Sequence, residues 1–498
     1  MRALALQARP ALLAAIVFVM PSVSAARETP APTARRTPAT RPAASSVPRA
    51  LDAYYGLYFQ GNKVGWMRLQ WQPTAAGVTM RQEVHAQVSG MGAERHLEIE
   101  EVRQYAGARG QLVAVDFVQR SEGRQVTVAA RPHDEHQLKL DIGAGGAHRD
   151  MFLPAAEQLS DAIALERLAH AGRVGATATS VRFDPALQKV LHMGHRVVAR
   201  ERRTSSGVAI DAVRIETRNE ELGSVEMSWV EPTGRVLEHR LANLMTARLE
   251  PADEAKKLDF RQDVLISAMV RAPERLMTPR SLNTLVLDFE GFDDFPTPTS
   301  ARQRVLRNGP RTTITVTKDP LPPRQPRGPP SLPADPEVAE ALAPTAFIQS
   351  DHPAIVAAAR EAAGTADDIF SAATSVCHWV YGRLAKEYAP EYSNALESLN
   401  SGRGDCTEHS VLFVALCRAL GLPAREAVGI AYAAPGDGFG WHAWAEVRVG
   451  DRWVAMDPTW NQPIADATHV KLASGGPLEQ SRIAMLIGSL RLVAMRGS

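Results

Sequence analysis

The chain has 498 residues, 45% of them hydrophobic and 22% charged, with a formal net charge of +1. That length predicts two or three domains, and the composition is that of a globular protein. The near-zero charge supplies no argument for nucleic acid or an anionic membrane as partner, and beyond the N-terminus no apolar run is long enough to span a bilayer.

Residues 1–25 read as a secretory signal peptide. Arg2 and Arg9 precede an apolar stretch, residues 11–20, and the small-residue run Val23-Ser24-Ala25 follows it. No cysteine follows the apolar stretch, which argues against a lipoprotein. The expected location is periplasmic or secreted. Residues 26–50 are rich in Pro, Ala, Thr and Arg and read as a disordered linker.

Residues 51–265 read as a β-rich hairpin domain. "YYGLYFQGNKVGWMRLQW" alternates apolar and polar positions on either side of Gly61-Asn62. Runs such as "GQLVAVDFVQR", "GVAIDAVRIETR" and "GSVEMSWVEPTGRVLEHRL" repeat the pattern, and one amphipathic helix is expected over 155–172. Repeated hairpins predict a curved antiparallel sheet or half-barrel. No cluster of titratable residues is visible there, so the region reads as a scaffold, or as a surface for a substrate or protein partner. Residues 266–317 read as a β-rich extension, and the Pro-rich stretch 318–336 as the linker dividing the chain.

Residues 337–498 place helices before strands, which predicts an α+β domain. His352-Pro353 opens a helix that ends at Gly364, and Ile369, Phe370, Val376, Val380 and Leu384 recur at helical spacing. Next comes "RGDCTEHSVLFVALCRALGLPAR", residues 403–425. Asp405 is a good N-cap, Glu408 completes a capping box, and Gly421 with Pro423 closes the helix. Cys406 is then the first helical residue. Free N–H groups and the positive dipole end favour a thiolate there, and the same groups could hold an oxyanion. Cys377 and Cys417, the other two cysteines, fall in apolar helical patterns as buried thiols or a disulfide pair.

A thiolate nucleophile needs a base, and the base needs an orienting group. "GWHAWAEVRVGDRWVAMDPTW" alternates on both sides of Gly450-Asp451, a two-residue hairpin turn. Pairing 449 with 452 puts 444 opposite 457, so His442 and Asp457 share a face as diagonal neighbours, roughly 7–8 Å apart. The other face carries Ala443, Ala445, Val447, Val449, Val454 and Met456 as core. A bulge at the turn would break this geometry.

Other readings compete. Cys406-x-x-His409 could begin a zinc site, but a second pair of ligands at good spacing is lacking. His409 could replace His442 as base, although it lies one turn along the same helix. Arg403-Gly404-Asp405 could serve adhesion, although the glycine and aspartate have a turn and a cap to make. Trp441, Trp444, Trp453 and Trp460 read as core or cleft wall.

The order "GRGDC … WHAW.EV … W..MDPTW", with "GLPAR" after the cysteine, resembles the transglutaminase-like superfamily over about residues 340–475. The resemblance implies a papain-like α+β core in 337–498, with Cys406 as nucleophile, His442 as general base and acid, and Asp457 orienting it. It implies amide cleavage or transfer through a Cys acyl-enzyme on a protein or peptide substrate. Water as second nucleophile makes a peptidase or amidase, and a primary amine makes a transglutaminase. No cofactor is expected. Calcium assists some relatives, but no dense acidic loop supports a metal site here. Tyr381, Asn400 and Trp460 are candidates for a second oxyanion donor. The alternative is a non-catalytic binding or scaffold protein that keeps the fold.

Overall fold

The computed structural model describes residues 50–498 apart from short stretches, the longest being 155–163, 259–267 and 328–334. The expected signal peptide and the linker before residue 50 lie outside the described residues. So does the first half of the expected helix, whose remainder is helical over Ala164–Ala171. No helix among the described residues is long and apolar enough to cross a membrane. The chain divides into two compact units near residue 260.

The first unit is a single 14-stranded antiparallel sheet. Eight strands from Leu51–Phe59 to Ala147–Pro154 follow one another as neighbours. Six more, from Thr177–Asp184 to Met245–Glu250, do the same, and the two runs join where Leu51–Phe59 pairs with Met245–Glu250. Alternate side chains face one side of a strand. Met67 therefore lies opposite Val84 and Trp71 opposite Met80, all four buried. The first hairpin turns one residue earlier than expected. Phe59 pairs with Asn62, and Gln60 and Gly61 both have positive φ, 47° and 84°, which matches the twist of the flanking strands.

The sequence reading saw no titratable cluster in this unit, and the structure corrects it. Glu101, Arg103, Arg182, Asp184, Glu226 and His239 are all buried. Ser228 Oγ is 2.9 Å from His239 Nδ1, while His239 Nε2 is 3.6 Å from Glu226. Burial pushes Glu226 up to about 7 against the pull of Arg182. Burial and Arg182 together push His239 down to about 3. Glu101 and Arg103 sit nine strands along the sheet from Arg182 and Asp184, yet Arg103 donates to Phe183 O at 2.8 Å, so the curvature of the sheet brings these groups together.

The second unit holds four consecutive helices, α1 (Pro353–Ala363), α2 (Ile369–Arg383), α3 (Ala395–Ser401) and α4 (Cys406–Ala419). Strands β1 (Ala424–Ala433), β2 (Gly438–Val449), β3 (Arg452–Met456) and β4 (Val470–Ser474) follow. The helix starts are the expected kind: Asp368 accepts from Ser371 N–H to cap α2, and Asn394 accepts from Glu397 N–H to cap α3. The sheet runs β2–β1–β4, with β3 and the short strand Val270–Arg271 both on β2. Helix α4 packs on β1 and β2. Ala445, Val447, Val449, Val454 and Met456 meet Val376, Val380, Leu412 and Leu416 in one core. Fully burying each larger apolar side chain contributes about 1.5–3 kcal/mol.

The expected division at 318–336 is not where the units part. Residues 284–290, 303–308 and 311–317 form a four-stranded sheet with the C-terminal strand Arg491–Gly497. Trp441 Nε1 donates to Ala268 O at 2.7 Å, and Gln303 exchanges two 2.8 Å hydrogen bonds with the Lys471 backbone. Within the described part of the Pro-rich stretch, Arg327 N–H donates to Asp367 O at 3.1 Å and Gln325 O accepts from Ile369 N–H at 2.9 Å, inside the second unit.

Gly429 shows how tight this sheet is beside the strand carrying His442. It pairs with His442, and a Cβ there would lie 2.0 Å from Val470 O, a backbone atom. Gly429→Ala should therefore lower the thermal midpoint of the protein and shift the His442 resonances in an NMR spectrum. An unchanged midpoint and spectrum would contradict the packing described.

Candidate functional site

Helix α4 begins as the sequence predicts. Thr407 N–H donates to Asp405 Oδ1 at 2.6 Å, Asp405 N–H donates to Glu408 Oε2 at 2.8 Å, and the full capping box is present. Cys406 is the first helical residue and is wholly buried. Gly404 is buried in a short strand paired with Lys386 rather than in a turn, and Asp405 is buried as the cap, which removes the adhesion reading of Arg403-Gly404-Asp405.

Across from this helix the hairpin register is unbroken, from Val449 opposite Arg452 to Ala445 opposite Met456. Asp457 then leaves the ladder and exchanges backbone hydrogen bonds with Gln462 at 2.8 and 2.9 Å. His442 and Asp457 meet as expected, Nε2 to Oδ2 at 2.9 Å. A carboxylate only accepts, so Nε2 carries the proton. His442 Nδ1 is buried with no hydrogen-bond partner. Burial holds the imidazole below its ordinary value despite Asp457 beside it. In the neutral ring Nδ1 then presents a lone pair.

His409 lacks a carboxylate to orient it, and its Nε2 is buried without a hydrogen-bond partner. Its Nδ1 donates to the Asp405 carbonyl at 2.6 Å, and burial with the charge of Lys386 takes it down to about 4. The three cysteines are all free. Burial, with the charge of Asp457, raises the Cys377 thiol well above its usual range, and burial raises Cys417 too. Both are held as inert protonated thiols.

The family model for the transglutaminase-like superfamily matches residues 356–458, a span containing Cys406, His442 and Asp457. Residues 356–458 form a transglutaminase-like core. A candidate cysteine protease from Cytophaga hutchinsonii is 18% identical over 43% of this chain and 86% of that one, with a TM-score of 0.30. A β-barrel-like protein of unknown function from Brucella abortus is 12% identical over 40% of this chain and 94% of that one, with a TM-score of 0.32. A candidate protease from Parabacteroides distasonis is 10% identical over 67% of this chain and 63% of that one, with a TM-score of 0.20. No curated protein matches the chain.

Around this transglutaminase-like core lie residues that sequence reasoning missed. His469 Nε2 is 3.2 Å from Asp457 Oδ2, and its Nδ1 is 3.2 Å from Asp466 Oδ1. With a carboxylate at each nitrogen, both must donate, so the ring is an imidazolium. Burial alone would lower its pKa, but Asp466 and Asp457 raise it. Asp466 also accepts from Arg280 at 2.7 Å and Gln462 at 2.9 Å. The Arg280 guanidinium lies 3.8 Å from the Trp460 ring centroid, and Trp460 stacks on His442 at 4.3 Å. The chain of contacts thus closes on itself. Only the "DPTW" motif hinted at it, by placing Trp460 near Asp457.

Burial opposes the charge on both carboxylates, yet the hydrogen-bonded His442 and His469 rings outweigh it at Asp457, and His469 with Arg280 at Asp466, holding both far below the usual carboxylate range. The donor atoms of His442, Asp457 and His469 lie within 4.8 Å of one another, a grouping that could hold a metal ion. The nitrogen–oxygen separations of 2.9 and 3.2 Å are those of direct hydrogen bonds. Of the suggested oxyanion donors, Tyr381 and Trp460 line one cleft of about 440 Å³, whereas Asn400 lines a different one with Glu361 and Trp379.

The two core histidines should titrate on opposite sides of the ordinary value of 6.5 in NMR spectra, His442 below it and His469 above it. Asp466→Asn should bring His469 down. The reverse order would contradict the assignment of charges.

Proposed function

We propose that this protein is an exported thiol enzyme that cleaves or transfers amide bonds through an acyl-enzyme on Cys406. The observation that carries this reading is the state of His442. Its Nε2–H is tied to Asp457 and its Nδ1 is buried and unbonded, on a strand packed by the helix that Cys406 heads. A neutral imidazole held in this way keeps one lone pair free to take a proton, which supports its reading as a general base.

In the proposed reaction Nδ1 takes the Cys406 proton and the sulfur attacks the amide carbonyl. The first-turn N–H groups of α4 stabilise the oxyanion. As the C–N bond breaks, His442 passes the proton to the departing amine and a thioester remains. Water then gives an acid and the free thiol, while a primary amine gives a new amide. Asp457 keeps the imidazole in the required tautomer throughout. Export rests on the charged, apolar and small-residue pattern of the first 25 residues. In the periplasm or outside the cell, protein and peptide amides are the substrates within reach.

One observation favours the other reading, a non-catalytic protein that retains the fold: Cys406 is wholly buried. Iodoacetamide labelling read at each cysteine separates the two. An enzyme requires Cys406 to react ahead of Cys377 and Cys417 and to slow when His442 is replaced by alanine. Uniformly slow labelling would favour the binding module.

On a peptide substrate found by mass-spectrometric profiling, Cys406→Ala should abolish turnover. His442→Ala should cost on the order of 10²–10⁴ in rate, and Asp457→Asn should leave a weakened enzyme. Full turnover by Cys406→Ala would end the proposal. His442 must be neutral to act, and it is protonated as pH falls through its lowered pKa. The acid limb of kcat/KM should accordingly lie below pH 6.5.

A further inference from the structure

We propose that the cleft beside Trp460 binds a carboxylate of the substrate through Lys318 and Lys386. This rests on the acyl-enzyme reading above, and it adds the chemical class of substrate that the site selects.

The cleft of about 440 Å³ borders both halves of the candidate site. Trp460, in its wall, stacks on His442. Lys386, also in its wall, pairs in register with Gly404, two residues before Cys406. The cleft wall thus includes one residue in contact with His442 and one paired with the segment that leads into Cys406.

The charges around it do not cancel. Asp457 and Asp466 are the buried anions, and the His469 imidazolium and Arg280 guanidinium are their partners. That chain is neutral by itself. Lys318 and Lys386 also face the cleft, and among the described residues neither forms an ion pair with a carboxylate. Lys386 Nζ sits 4.0 Å from the Tyr381 ring centroid, a contact that positions the ammonium without neutralising it. Two cations that lack a carboxylate partner among the described residues, in a concave and partly apolar wall, concentrate field where an anion would sit. Tyr381 and Trp460 supply flat apolar surface for the rest of a peptide. The carboxylate could belong to an acidic side chain or to a chain terminus, since both present the same group to an ammonium.

The test is calorimetric titration of the full-length Cys406→Ala protein with two pairs of peptides. N-acetyl-Ala-Glu-Ala-amide against its Gln counterpart probes a side-chain carboxylate. N-acetyl-Ala-Ala-Ala as free acid against its amide probes a terminal one. Charge-assisted hydrogen bonds make an acid bind on the order of 10- to 100-fold more tightly than its amide. That advantage should vanish when Lys318→Gln and Lys386→Gln are added, with amide affinities unchanged. The pair that shows it names the source. Equal affinity for acid and amide in both pairs, or a preference that survives loss of both lysines, would overturn the proposal. Turnover by the wild type keeps the two readings apart. Cleavage indifferent to acidic residues would leave the thiol chemistry standing and remove this inference. Lysine-dependent acid binding with an unreactive Cys406 would do the opposite.

Discussion

Everything at the candidate site hangs on one carboxylate taken out of water. Asp457 is fully buried, and a buried charge survives only where its oxygens are occupied. Thr459 and Trp460 N–H donate to Oδ1 at 2.7 and 3.2 Å, and both imidazoles donate to Oδ2. The same bonds that keep the anion in place turn the "DPTW" loop, choose the tautomer of His442 and orient its ring. Removing one partner of such a buried pair typically costs about 3–5 kcal/mol.

The two units contain similar residue types with opposite outcomes. In the first, His239 and Glu226 stand 3.6 Å apart, too far for a hydrogen bond, and burial drives both towards their neutral forms. In the second, bonds of 2.9 and 3.2 Å and further N–H donors overcome burial, so Asp457 and His469 stay charged while His442 stays neutral. Glu226, His239, His442, Asp457 and His469 are all buried. The count and closeness of partners decide the protonation state.

That requirement also explains why the segment before the helices cannot be set aside as an extension. Arg280 completes the charge balance of Asp466 and stacks on the indole that covers His442. Arg302 donates to Ala465 O at 2.9 Å and pairs with Asp319 at 3.2 Å, holding the loop that bears Asp466. Cleft wall, charge balance and ring stacking all draw on residues before α1.

Much of this was legible from local pattern. The alternation around Gly450-Asp451 set the register of β2 and β3, and with it the shared face of His442 and Asp457. Asp405 and Glu408 set the start of α4 and therefore the place of Cys406 at a helix end. Both are decided by residues within a few positions of one another, through the two-residue period of a strand and the unpaired N–H groups of a first turn. Tertiary structure alone decided the rest. Arg280 and Asp466 are 186 residues apart, and no local period links them. His469 immediately precedes β4, and the pairing of β4 with β1 brings it to Asp457. The Pro-rich stretch resembled a boundary because composition reports where hydrogen-bond ladders stop. Where a compact unit stops depends on which distant strands pair.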